Sequence, residues 1–162
     1  METVLEKAIV LRNIGKYKES NELLVKLACE FPDNPNINYQ CAWSFDVLGE
    51  ETKAVAFYEK AILLGLPDEN LQGAILGLGS TYRTLGEYEK SRYVLQKGIE
   101  QFPDNRAIQV FYSMTLYNLG VHSQAMELLL KCISETGGDP EIIKYKNAIY
   151  YYSDKLDKVW SE

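Results

Sequence analysis

The chain is poor in histidine, cysteine and tryptophan, and it is short of positive charge. Its single histidine, His122, cannot build a multi-histidine metal site. The three cysteines, Cys29, Cys41 and Cys132, are odd in number, and the gaps between them are 12 and 91 residues. That spacing gives neither a disulfide framework nor the paired ligands of a zinc site, so a reduced, cytoplasmic protein without metal or cofactor is expected. Lys and Arg total 17 against 23 Asp and Glu, a net charge of −6. Such a balance offers no basic face to phosphate, and nucleic acid is not expected as a partner. No run approaches the roughly 18 apolar residues that a membrane span needs. The opening METVLEKAIVLR carries Glu2 and Glu6 and lacks the basic-then-apolar order of a secretion signal.

Catalytic constellations are equally scarce. Gly77-Leu78-Gly79-Ser80 lacks the spacing of a phosphate-cradling loop and falls within a predicted helix. His122 and Cys132 share one predicted helix, about 15 Å apart in rise, too far to form a nucleophile pair. Asp33, Asp68-Glu69, Asp104 and Asp139 fall at turns, where short acids make local capping bonds. No enzyme activity is expected.

What the sequence does have is a period. An apolar residue followed by glycine recurs at Ile14-Gly15, Leu48-Gly49, Leu85-Gly86 and Leu119-Gly120, with steps of 34, 37 and 34 residues. Five residues past each glycine stands a small residue: Ser20, Ala54, Ser91 and Ala125. Two past it stands a ring in three copies, Tyr17, Tyr88 and His122, and Glu51 in the other. The string Phe-Pro-Asp recurs at residues 31–33 and 102–104. Between these marks, apolar residues follow i, i+3, i+4, i+7, as at Ala54, Phe57, Tyr58 and Ala61. Each unit therefore reads as two helices turned by glycine and stopped by proline. One hairpin cannot bury its apolar face alone, but four stacked hairpins can.

The third copy carries Leu78-Gly79, Tyr82, Gly86, Tyr88, Ser91, Leu95, Gly98 and Pro103, and the first Ala8, Leu11, Gly15, Tyr17, Ser20, Leu24, Leu27 and Pro32. These residues resemble the tetratricopeptide repeat (TPR) family, and LGSTYRTLGEYEKS is similar to small stand-alone bacterial TPR proteins. The resemblance implies an all-α, right-handed superhelix of four helical hairpins plus a C-terminal capping helix. The repeats would span about 1–34, 35–71, 72–105 and 106–138, and the capping helix about 139–160, with a break near Ser153-Asp154. The segment Gly65–Asn70 would absorb the three extra residues of the longer step as a local irregularity. Gly73, Gly77 and Gly79 crowd one helix. At about 1 kcal/mol each against alanine, they predict either a soft helix or unusually close neighbours.

The family likeness further implies a concave face lined by the first helix of each hairpin. Counting offsets from the junction glycines gives Leu5, Ile9 and Arg12, then Tyr39, Trp43 and Asp46 with Gln40 beside them. Next come Leu76, Ser80 and Arg83, then Val110, Met114 and Tyr117 with Asn118, and finally Tyr145, Ile149 and Tyr152. Rings and aliphatic chains dominate, with Arg12 and Arg83 as isolated cations. Leu5 and Ile9 stand where the carboxylate clamp of chaperone-binding relatives would begin, so no such clamp is expected. The expected partner is a protein or peptide held by apolar contact. A homodimer burying the groove, the Tyr150–Tyr152 run and Trp160 is the alternative, as is a small acidic chaperone for a secreted client.

Overall fold

The structure, a computed structural model, describes residues 3–160. Met1 and Glu2, part of the opening segment read above, lie outside the described residues. Those described form α1 (Val4–Asn13), α2 (Tyr17–Glu30), α3 (Pro35–Asp46), α4 (Glu51–Leu64), α5 (Asp68–Thr84), α6 (Tyr88–Gln101), α7 (Arg106–Asn118), α8 (His122–Thr136) and α9 (Pro140–Tyr152). Successive helices pair as hairpins α1–α2, α3–α4, α5–α6 and α7–α8, and each hairpin packs on the next. The first helices of the hairpins, here called A helices, also touch one another in series. This is the all-α stack of helical hairpins that the period predicted, arranged as the family resemblance implied.

The repeat is written in backbone chemistry as well as in apolar spacing. Gly15 (φ 82°) and Gly86 (φ 76°) take the left-handed conformation that turns the chain between helices. The Asn34 side chain accepts from the Ile37 amide at 3.0 Å and Asn105 accepts from Ile108 at 3.1 Å, capping α3 and α7 at the same register. Asp139 does the same for α9, 34 residues further on. Of the turn acids, Asp139 caps as expected, whereas at the two Phe-Pro-Asp turns the bond comes from the neighbouring asparagine. The small residue past the junction glycine has a purpose too. Ser20 donates to the Ala8 carbonyl and Ser91 to that of Gly79, both at 2.7 Å, tying the two helices of a hairpin together.

The extra residues of the longer step do not form a loose segment. The α4–α5 connection is only Gly65–Pro67, and α5 runs for 17 residues against 12 in α3 and 13 in α7. Pro67 sets the extended entry, and Asp68 and Glu69 in the first turn suit the positive end of the helix, so the helix starts early. The crowded glycines of α5 mark close neighbours. Residue 73 faces the Tyr39 hydroxyl, residue 77 the Tyr58 ring and residue 79 the Leu95 side chain, all nearer than a β-carbon tolerates. The long helix consequently serves both apolar clusters. Ala74, Leu78 and Tyr82 belong to one centred on α1–α5, and Ile75 to one centred on α5–α8.

The terminal helix ends at Tyr152, short of the expected 160, with Ser153 and Asp154 in the turn beyond and no helix after it among the described residues. It docks on α8 and on no other of the described helices. The surface it covers is a different one from the regular seat. In α2 and α6 the residues seven and eleven past the junction glycine, Glu22, Lys26, Tyr93 and Lys97, face solvent. The matching Glu127 and Lys131 of α8 are half-buried, with the Lys131 ammonium 5.6 Å from the Tyr150 ring of α9 and Glu127 beside the segment that follows it. Ser123 donates to Asp157 at 2.9 Å on the same side. Lys146 supplies a physical reason. By register from its cap it stands where α3 and α7 bury Cys41 (0% exposed) and Tyr112 (7%). An ammonium there would lose its water without gaining a partner.

Candidate functional site

The inner face begins at a buried cation. Arg12 in the last turn of α1 is only 5% exposed, and its Nη2 donates to Gln40 Oε1 at 2.8 Å. Its Cζ lies 3.8 Å from the centroid of the Trp43 ring, so the guanidinium is stacked under the indole. Nε and Nη1 meet no acceptor among the described residues. Burial pulls the guanidinium below its usual value, against the opposing pull of Tyr39 and Tyr58. Arg12 is therefore not the isolated cation expected from the sequence. Neither is Arg83, whose Nη1 donates to Asn118 Oδ1 at 3.1 Å. At the same register in two repeats, an arginine is steadied by an amide from the next A helix.

The rings divide into two groups. Tyr39, expected on the exposed lining, is buried (8% exposed). Its ring lies 6.1 Å from Trp43 and 6.3 Å from Tyr58, and the absence of a side chain on Gly73 makes the space. It supports the face from behind. Trp43 remains 40% exposed and Tyr117 64% exposed, both on A helices. Asp46 is half-buried and accepts from the Tyr58 hydroxyl at 3.2 Å. Burial raises its carboxyl above the usual range, while bonds from Tyr58 and Thr81 oppose that shift. Leu5, Ile9, Ser80 and Val110 are half-buried, and Leu5 packs against the core.

Towards the C-terminal end, Met114 and Tyr117 of α7 form one wall of an open cleft of about 400 Å³. Met126 and Leu129 of α8 form the other, and Arg83 lies at its edge. His122 joins this lining with its ring 4.8 Å from that of Tyr117. The offset count missed His122, Met126 and Leu129 because it considered A helices only. Their i, i+4, i+7 spacing along α8 was the available signal. Tyr145 and Tyr152 do not join the cleft. They are exposed on α9, which sits on the far side of α8, and Tyr152 meets the Trp160 ring edge-on at 5.7 Å.

The sequence profile of the family described as "Tetratrico peptide repeat" matches residues 35–156, and the chain belongs to that family. It is 27% identical over 100 residues to Superkiller protein 3 of Saccharomyces cerevisiae, covering 57% of this chain and 7% of that protein. It is 26% identical over 111 residues to the human protein O-mannosyl-transferase TMTC1, covering 68% of this chain and 12% of that protein. The chain thus spans a small part of the curated relatives it matches. Among solved structures it is similar to YrrB, described as a TPR protein with an unusual peptide-binding site, with a TM-score of 0.71 and 16% identity. That match covers 94% of this chain and 77% of YrrB. MamA matches with a TM-score of 0.70 and 17% identity, over 99% of this chain and 79% of that one. These likenesses establish the fold. No helix among the described residues is long and apolar enough to cross a membrane.

Proposed function

We propose that the chain is a non-enzymatic, cytoplasmic protein-interaction module. Its inner face, between Trp43 and Tyr117, holds a peptide or helix of a partner protein by shape and apolar contact. The observation that carries this reading is the state of Trp43. A half-exposed indole is held flat by a buried guanidinium, which leaves one face of a large ring ordered and wet. Trp, Tyr and Arg are the side chains that most often dominate binding energy. The peptide-binding site attributed to YrrB makes a comparable use of the fold reasonable. Affinity capture should lose its partner when Trp43 and Tyr117 are both replaced by Ala, with helix content retained. Undiminished capture by that double variant would sink the reading.

A second reading is self-association through α9. Tyr145, Tyr150, Tyr152 and Trp160 are each about half exposed along one short stretch. Mass measured across concentration separates the two, since a strict monomer at high concentration removes this second reading.

A further inference from the structure

The cleft between α7 and α8 has three precedents inside the same chain. In the first three hairpins, the second-helix face centred nine residues past the junction glycine is closed by the A helix that follows. Leu24 (0% exposed), Tyr58 (2%) and Leu95 (0%) are the result. The closing helix brings three buried side chains at i, i+4, i+7: Ile37, Cys41 and Ser44, then Ala74, Leu78 and Thr81, then Ile108, Tyr112 and Thr115. In the fourth hairpin the equivalent face is Met126, Leu129 and Ile133. Met126 and Ile133 are 45% and 43% exposed. No described helix covers it, because α9 has gone to the opposite side of α8.

We propose that this cleft is the docking seat for one amphipathic helix of a partner protein, which enters as a fifth A helix and presents uncharged, mainly apolar side chains at i, i+4 and i+7. The seat continues three interfaces already seen in the fold, and these define what it takes. All three interior trios end in a hydroxyl: Ser44 accepts from Asn21 at 2.9 Å and Thr115 shares a 2.9 Å bond with Ser91, whereas Thr81, facing Ala54 and Val55 by register, donates to the Gly77 carbonyl of its own helix at 2.7 Å. Here the facing residues are Ala125 and Met126, so the i+7 side chain of the occupant is apolar or, like Thr81 opposite Ala54 and Val55, a hydroxyl bonded within its own helix. The pliant methionines Met114 and Met126 adapt to its shape.

The same criterion excludes the helices this protein could offer to itself. The trio of α9 is Ile142, Lys146, Ile149, and that at the outer face of α1 in a second copy is Thr3, Lys7, Val10. Each places an ammonium at the central, fully covered position, and the cleft lining holds no carboxylate to receive it. The occupant is thus a helix of different sequence with an uncharged i+4 residue. This inference rests on reading the chain as an interaction module and narrows it to the C-terminal half of the inner face.

The test uses the full chain labelled at its methionine methyls, two of which, Met114 and Met126, report from the cleft. The probes are two synthetic peptides of residues 138–153, one unaltered and one carrying Lys146→Leu. The altered peptide should move both methyl signals saturably and bind at least about tenfold more tightly than the unaltered one. Met126→Lys in the chain, at an exposed position that leaves helix content intact, should abolish the response. Equal binding of the two peptides, or no methyl movement with the altered one, overturns the proposal. The Trp43 indole signal reads the rest of the groove separately. A peptide that moves Trp43 and leaves both methionines still overturns the seat while the groove reading stands. Methyl movement combined with undiminished capture by a Trp43→Ala single variant, which leaves the cleft lining intact, does the reverse.

Discussion

The phenol ring of Tyr58 occupies the place where a β-carbon on Gly77 would stand, its Cζ 2.5 Å from that point. The ring cannot retreat easily, because Tyr58 is 2% exposed and its hydroxyl is bonded to Asp46. Gly77→Ala is therefore expected to destabilise by about 1–3 kcal/mol, in spite of the better helix propensity of alanine. Gly138→Ala, where a β-carbon meets open space, should be neutral or slightly stabilising. Chemical denaturation of the two variants side by side checks the contrast, and equal midpoints would mean that α5 and α4 are not so tightly apposed.

Ser91 joins three helices. Its hydroxyl donates to the Gly79 carbonyl and lies 2.9 Å from the Thr115 hydroxyl, whereas Ser20 has only the Ala8 carbonyl. Ser91→Ala should cost about 1–2 kcal/mol and Ser20→Ala less, since only the former strips a partner from a second buried group. Hydrogen exchange should show the Ser91 variant loosening at the α6–α7 boundary in particular.

Arg12 is a buried cation with two unpaired donors and a stacked indole. Replacing it by Met keeps the apolar bulk beneath Trp43 and removes the unpaired N–H groups, at the expense of the Gln40 bond. Stability should stay level or rise by up to about 1 kcal/mol. Trp43 emission should report a changed environment. A large loss of stability would show that the guanidinium holds the N-terminal hairpins together.

Asp46 gives a pH dependence. Burial raises its carboxyl in the fold, so the native state holds the proton more tightly than the unfolded chain does. That contribution is fully present below the ordinary carboxylate range and is lost as pH rises through the raised value. Asp46→Asn, still able to accept from Tyr58, should melt higher than the parent at neutral pH. The gap should close as pH is lowered towards 4, the usual carboxylate value being about 3.9. A gap that widens on acidification would reverse the sign of the argument.

Much of the architecture was legible because it is periodic. The glycine steps, the small residues and the i, i+3, i+4, i+7 spacing marked the paired helices of each repeat, α2 and α4 among them. What the period could not carry were effects set by single side chains. Tyr39 is at a lining offset, yet it sinks because Gly73, in another repeat, leaves room for its hydroxyl. The three surplus residues lengthen α5 because Pro67, Asp68 and Glu69 make a good helix start, a local signal that the period hides. Lys146 keeps α9 from the regular seat, and only the register of its cap at Asp139 shows which position that lysine holds. Gln40 and Asn118 were visible beside the groove, but their bonds to arginines one repeat earlier depend on distances that spacing does not give.

The long helix α5 is a party wall. Its own Leu71, with Ile62 of α4 and Val94 of α6, packs against both apolar clusters. If the molecule were pulled from its two ends, the outer hairpins would peel off singly, each held by one neighbour. The α5 region would give way last, since its rupture requires both halves to let go together.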